Sequence, residues 1–439
     1  MRSPQTSINA ELASSPWYRE LTRYQWWVLT VASLGWLFDT MDQRIFVLAR
    51  QPAMEALLPA GSDVKYYSGI ATSVFMFGWA AGGLYFGMLS DRWGRTKAMM
   101  LAILVYAGFT GLSALAQSKW DFMAYRFLTG LGVGGEFAAG VTLVAETMPV
   151  RARSHALGIL QALSTVGNII GGTVGYFVLP TYGWRGMFLA GVFPAFLVAF
   201  VFNRLKEPDA WIQAREAYLR GEKRQLGVIG DLFSDRRWRR HTIIGLALAI
   251  AGVIGIWGIG FWSPELIREA LSGAPRHTRD QYAALGTILQ DAGAFFGIIA
   301  FTVVTARYGR RPTFVFFFLL ALGATIMTFG WLRQPSDIYW MIPILGFCNL
   351  SIFGGYSIFF PELYPTRLRS TGVGFCYNVG RIIAALGPFT LVYLSSAYSH
   401  AGYASPFRVA AITLSSIYLL GVVAVLFAPE TKGKPLPEE

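Results

Sequence analysis

Long apolar runs separated by short polar stretches dominate this sequence. Twelve of them have about the 20 residues that cross a bilayer as a helix. They lie at 24–49, 66–89, 98–117, 120–146, 154–178, 185–203, 241–266, 281–305, 312–332, 338–363, 370–397 and 405–428. They are apolar nearly all round, unlike the striped helices of a soluble surface. The alternation of membrane barrel strands is missing. The pattern predicts an all-α polytopic membrane protein with spans 1 to 12 in two six-helix halves. Residues 1–23 form a polar leading segment, 24–203 the first bundle, 204–240 a linker, 241–428 the second bundle and 429–439 a tail. The leading segment carries no cleavable signal pattern, so span 1 is expected to direct insertion.

Composition agrees. Hydrophobic residues make up 54% and charged residues 14%, with 15% aromatic and a mean hydropathy of +0.45. That is too little polar surface for a soluble fold, and it excludes disorder and a disulfide scaffold. The net charge of +12 would suggest nucleic acid in a soluble protein. Here the positive charges sit mostly in short loops, where they act as topology signals, and no nucleic-acid partner is expected. With the N-terminus cytoplasmic, 25 of the 37 lysines and arginines fall on the cytoplasmic side. Both termini and the basic linker are therefore expected there. Cys348 and Cys376 lie in apolar segments and read as small buried hydrophobes, with no metal spacing.

The halves repeat. GMLSDRWGR at 87–95 follows span 2, and TVVTARYGR at 302–310 follows span 8. ETMPVRAR at 146–153 follows span 4, and ELYPTRLR at 362–369 follows span 10. Two separate blocks at nearly one offset indicate duplication. Parallel halves joined by a linker suggest a transporter whose site lies near the midplane between them.

These blocks resemble the major facilitator superfamily over nearly the whole chain. Residues 87–97 look like its loop signature, and RFLTGLG at 126–132 like the RxxxGxG motif of span 4. PELYPTRLRSTG at 361–372 looks like the block after span 10, and PETKG at 429–433 is similar to the sugar-porter ending. Gly134-Gly135-Glu136 and the segment around Glu146 resemble metabolite–proton symporters of the sialate and lactate branch. Asp39 and Asp42 are similar to the DxxD of aromatic-acid symporters, although Thr40 stands where that signature has glycine. Ala306 likewise replaces the acid found at Asp91 in the first loop.

An ionisable residue inside a span is expensive and is a functional candidate by default. The candidates are Asp39, Asp42, Arg44, Arg126, Glu136, Asp291 and Arg381. Asp39 and Asp42 are three apart and share a helix face. Arg126 and Glu136 are about 15 Å apart along span 4, so Arg126 needs a partner from another helix. The resemblance implies Asp39 or Asp42 as that partner, and implies that the pair couples protons. A static tie between spans 1 and 4 is the alternative. Glu136 either joins the proton path or bonds backbone in its glycine-rich stretch. Arg44 either belongs to the charged set or snorkels to the surface. Arg381, near the midplane, can grip a carboxylate bidentately, or it pairs with Asp291 and only aligns spans 8 and 11. Asn378, Gln290, Tyr356 and Gln161 are further candidate lining residues. All four histidines fall at predicted loops or span ends, which leaves carboxylates as proton carriers.

The loop motifs read as gates. Asp91, Arg92, Arg95, Glu146 and Arg151 are expected to form one charged cluster, and Arg307, Arg310, Glu362, Arg367 and Arg369 another. The chain is thus expected to be a proton-coupled symporter of a small, anionic organic acid. It is expected to work as a monomer, with no cofactor but the proton, in a bacterial inner membrane. A sugar or polyol symporter and a non-transporting sensor are the alternatives. No nucleophile–base set or metal cluster suggests an enzyme.

Overall fold

The computed structural model describes residues 16–193, 204–222, 224–384 and 387–438. All of its regular elements are helices. Span 1 is a 35-residue helix, Arg23–Leu57, opened by a capping box between Thr22 and Gln25. Spans 2 to 4 are Val64–Trp93, Arg95–Ser113 and Lys119–Thr147. Spans 8 to 10 are Arg276–Tyr308, Arg310–Trp331 and Pro335–Glu362. Among the described residues, nine helices are long and apolar enough to cross a bilayer. Span 1 misses that count, and it carries Asp39, Asp42 and Arg44. Span 11 is described as two helices, Arg369–Ala384 and Gly387–His400. The expected end of span 6, residues 194–203, lies outside the described residues.

Spans 5 and 7 depart from the expected simple rods. Span 5 runs on as Val150–Ala190, merging with the start of span 6 across a kink at Gly183, whose φ is 64°. Only glycine adopts that angle readily. Span 7 begins as Arg236–Val253, loosens into a π-helical turn at Ile254–Ile259 and a tight turn at Gly260–Trp262, and ends as Ser263–Ala270. Gly255, Gly258 and Gly260 crowd this segment, and glycine weakens a helix interior.

The duplication is visible in the packing. A Cβ at Gly78 would lie 2.1 Å from the Phe127 carbonyl oxygen, and one at Gly82 1.9 Å from that of Leu131. Spans 2 and 4 therefore touch backbone to backbone, as small residues permit in lipid. Gly293 and Gly297, each 215 residues later, meet the carbonyls of Pro343 and Phe347 in the same way, joining spans 8 and 10. Between halves the same symmetry pairs span 5 with span 8, and span 11 with span 2. Gly158 admits Thr302, and Gly374 lies against the Gly83 carbonyl. Residues 16–22 and the described parts of the linker and the tail gather at one face, here called the linker face. There Glu20 pairs with Arg151, and Thr431 bonds Glu362.

Candidate functional site

On the linker face, each half builds the same clamp. Arg95 opens span 3 and donates to Glu146 from Nε and Nη2, both at 3.0 Å. Arg310 opens span 9 and donates to Glu362 at 3.0 and 2.7 Å. A bidentate arginine–carboxylate bond fixes orientation as well as charge. Arg153 caps the Ala145 carbonyl, and its repeat partner Arg369 caps that of Pro361.

The two expected clusters are one interlocked set. Arg369 also pairs with Glu146 of the opposite half. Asp91 pairs with Arg95 at 2.8 Å and accepts from the amides of Ser370 and Thr371 at the start of span 11. Arg95 donates to the Thr366 carbonyl, and Arg310 to the Ser154 hydroxyl. The asymmetry lies at Ala306, which cannot supply the pair that Asp91 makes with Arg95 or its contacts with the span 11 amides. Four expected members stand outside the interlock. Arg92 is exposed and bonds the linker carbonyl of Leu226. Arg307 is exposed, with its guanidinium 5.6 Å from the Tyr308 ring. Arg151 turns to Glu20. Arg92 and Arg307 sit in the last turns of their helices and Arg151 in the first turn of its own, where the side chains point to solvent. Arg367 bonds Asp231 of the linker.

The helix starts beside the clamps are capped by two glutamates that the sequence reading left unassigned. Glu207 accepts from the Arg95 amide at 2.7 Å, and Glu430 from the Arg310 amide at 3.0 Å. Both sit against glycines with positive φ, Gly94 (119°) and Gly309 (99°). Burial pushes the Glu430 carboxyl up, but donation from the Arg310, Lys432 and Arg311 amides holds it below the usual range. The signal was a Glu beside Pro after each half's last span, read only as a family ending in one case.

Above the clamps lies a buried set of charges. Arg126 faces Asp42, not Asp39, with Nη1 3.6 Å from the carboxylate. Thr110 stands between them, donating to Asp42 at 2.7 Å and accepting from Arg126 at 3.1 Å. Ser113 and Thr129 take further guanidinium donors, and Phe188 covers it at 4.7 Å. Thr110 and Ser113 lie one turn apart on span 3, a spacing that offered no charge to notice. Asp39 lies deeper toward the centre. Neither its oxygens nor those of Glu136 have a hydrogen-bond partner, although both residues are at most 1% exposed. Glu136 thus does not bond the glycine-rich backbone. Its Oε1 would lie 2.6 Å from a Cβ at Gly35 of span 1.

Arg381 of span 11 completes this set from the other half. Its guanidinium lies 3.8 Å from the Trp79 ring of span 2 and 4.1 Å from the Tyr377 ring. Its Nε and Nη1 have no hydrogen-bond partner. Tyr377 in turn stacks on Phe137 at 4.4 Å. The expected alternative pair of Arg381 with Asp291 does not form, because Asp291 bonds Arg44 at 2.7 Å across the halves. Arg44 accordingly does not simply snorkel.

The remaining candidates divide. Asn378 packs against Gly83 of the other half, donates to Gly374 and leaves its Oδ1 unpaired. Gln161 is buried, with Oε1 unpaired. Gln290 turns to the broken part of span 7, bonding Gly260 and Ser263. Asn349, buried with both amide atoms unpaired, stands beside the same Gly260. Tyr356 is a correction. It is wholly buried within the second half, stacked on Phe360, with its hydroxyl given to the Leu248 carbonyl. Its position four residues before Phe360 on span 10 points it into the helix packing rather than the space between halves.

The family described as Major Facilitator Superfamily matches residues 32–388. A "putative metabolite transport protein" of Haemophilus influenzae is 32% identical over 422 residues, covering 95% of this chain and 99% of that protein. A "putative niacin/nicotinamide transporter" of Bacillus subtilis is 30% identical, covering 93% and 97%. The "cis,cis-muconate transport protein" of Acinetobacter baylyi is 28% identical, covering 84% and 86%. Among solved structures, the proton:xylose symporter XylE bound to 6-bromo-6-deoxy-D-glucose shares the fold. It has a TM-score of 0.74 and 20% identity, and the match covers 94% of this chain and 98% of that one.

Proposed function

The chain belongs to the major facilitator superfamily of multi-pass membrane transporters and is not an enzyme, and we propose that it carries a small organic acid inward with protons. The observation that carries this reading is the buried set itself. Asp39, Asp42 and Glu136 supply three carboxylates, while Arg126 and Arg381 supply two guanidinium groups. In a low-dielectric interior a net charge is costly. One proton balances this set, and an arriving anion creates a demand for another. Binding of acid and proton are then linked, each favouring the other. Relatives named for muconate and niacin support an acidic substrate.

In this reading Arg381 receives the carboxylate, with Asn378 and Gln161 lining the space and Gln290 and Asp291 acting at its edge. Asp39 and Glu136 take and release the proton, and the Asp42–Arg126 pair transmits the change between spans 1 and 4. The linker-face interlock, made of Arg95, Glu146, Arg369, Asp91, Arg310 and Glu362, holds that side shut. Breaking it admits the alternate arrangement, a two-state element that occupancy of the centre biases. By the positive-inside rule the linker face is cytoplasmic, which fits a bacterial inner membrane.

The test uses purified protein in liposomes containing a pH-sensitive dye. Niacin, cis,cis-muconate, sialic acid, gallate, xylose and glucose are added outside. Acidification with one acid class, beyond that of protein-free liposomes, is expected. Acidification with a hexose or pentose would instead establish the sugar reading. Arg381→Ala is expected to weaken acid binding by about 30-fold or more, the cost of losing a buried charge partner. Unchanged affinity would remove Arg381 from the site.

A further inference from the structure

The Arg44–Asp291 pair differs from the Asp42–Arg126 pair, the other ion pair described in the centre. It joins span 1 to span 8, and so one half to the other. It is also the accessible pair, with side chains 23% and 13% exposed, whereas Asp42 and Arg126 are 0% exposed. It lies on the far side of the buried set from the linker-face interlock. Arg44 is 21 residues, about 31 Å of helix, from the start of span 1.

Its chemistry is half used. A guanidinium offers five N–H donors in a flat fork suited to a carboxylate. Among the described residues, Arg44 spends one terminal nitrogen on one oxygen of Asp291. Its stem is held by span 5, where a Cβ at Gly171 would fall 2.8 Å from the Arg44 Cβ. The Asn168 side chain of the same span also faces Asp291. Asp291 therefore has a polar neighbour to turn to if Arg44 leaves it.

We infer that Arg44 is the first receptor for the substrate's carboxylate, and that Asp291 is the internal carboxylate it must displace. The exchange swaps one carboxylate for another on the same fork. It selects for anions, because a neutral molecule offers nothing to replace Asp291. It also breaks a bond between the halves, so arrival of substrate is felt by both bundles before the acid reaches Arg381. This inference rests on the acid reading above and names the residue that enforces it.

The experiment measures equilibrium binding of niacin and cis,cis-muconate to the purified full-length protein, with nicotinamide as the neutral counterpart of niacin. Arg44→Gln is expected to weaken the acid that wild type binds by about 30-fold or more. Asp291→Asn is expected to tighten it by about tenfold, because the competing carboxylate is gone. A gain of affinity cannot come from misfolding. The double variant Arg44→Gln/Asp291→Asn should lose that gain. If wild type binds an acid and Arg44→Gln binds it equally well, the inference falls and the acid reading stands. If Asp291→Asn weakens binding as Arg44→Gln does, the pair is a fixed strut and the inference falls. If wild type binds nicotinamide and neither acid, both readings fall together.

Discussion

Asp39→Asn is expected to abolish accumulation of substrate against a gradient while preserving exchange of substrate across the membrane. In liposomes with an imposed proton gradient, accumulation should drop to the equilibrium level. Counterflow of labelled substrate should continue at a rate within a few-fold of wild type. The reason lies in how Asp39 is held. Its oxygens are buried without a hydrogen-bond partner, so asparagine of the same shape breaks no hydrogen bond. The lost property is the ability to carry a proton, not the packing of span 1.

Asp42→Asn separates this from a structural effect. Asp42 faces Arg126, and both are wholly buried. Neutralising it leaves a buried guanidinium uncompensated, which typically costs about 3–5 kcal/mol. That variant should therefore lose thermal stability in detergent as well as coupling, whereas Asp39→Asn should melt near wild type. Full accumulation in both variants would sink the coupling role of the pair. Equal loss of stability in both would reduce Asp39 to a packing residue.

Much of this was readable from residue types and spacing. Apolar runs gave the spans because backbone in lipid must satisfy its own hydrogen bonds, which leaves long helices as the solution. The offset of 215 between Gly87 and Thr302 reappears as the offset between glycines that let spans cross, because duplicated helices inherit duplicated contacts. Charges inside spans stood out by their cost. Their partners did not, since Asp39 and Asp42 share a face and only the position of Thr110 and Ser113 decides which one meets Arg126. Arg44 with Asp291 joins residues 247 apart in sequence, and no local pattern encodes that distance. Tyr356 shows the converse error. A polar atom in a span is as well satisfied by a backbone carbonyl as by a substrate. The break in span 7 was written in its glycines, but glycine also serves close packing, and composition alone does not separate the two uses.

Glu146→Gln is expected to open the linker face. Glu146 is the carboxylate that joins arginines of both halves, accepting from Arg95 within its own half and from Arg369 across the interface. All three side chains are 0% exposed. Glutamine keeps the shape and one acceptor oxygen, but removes the charge that two buried guanidinium groups share. Breaking a buried pair costs about 3–5 kcal/mol, and here that cost falls only on the closed arrangement, because in the open one both arginines are hydrated. A shift of that size moves a two-state equilibrium by about 100-fold or more. Ser357 reports it. It is wholly buried in span 10 with its hydroxyl toward the Leu157 carbonyl of the other half. On a Cys348→Ser/Cys376→Ser background, Ser357→Cys should react with a maleimide added from the linker side at least tenfold faster when Glu146→Gln is present. Glu362→Gln, whose carboxylate is bound by Arg310 and Thr431 of its own half, should raise the rate less. Equal rates with and without Glu146→Gln would mean that the glycine contacts between spans 2 and 11, not the ion pairs, keep this face shut.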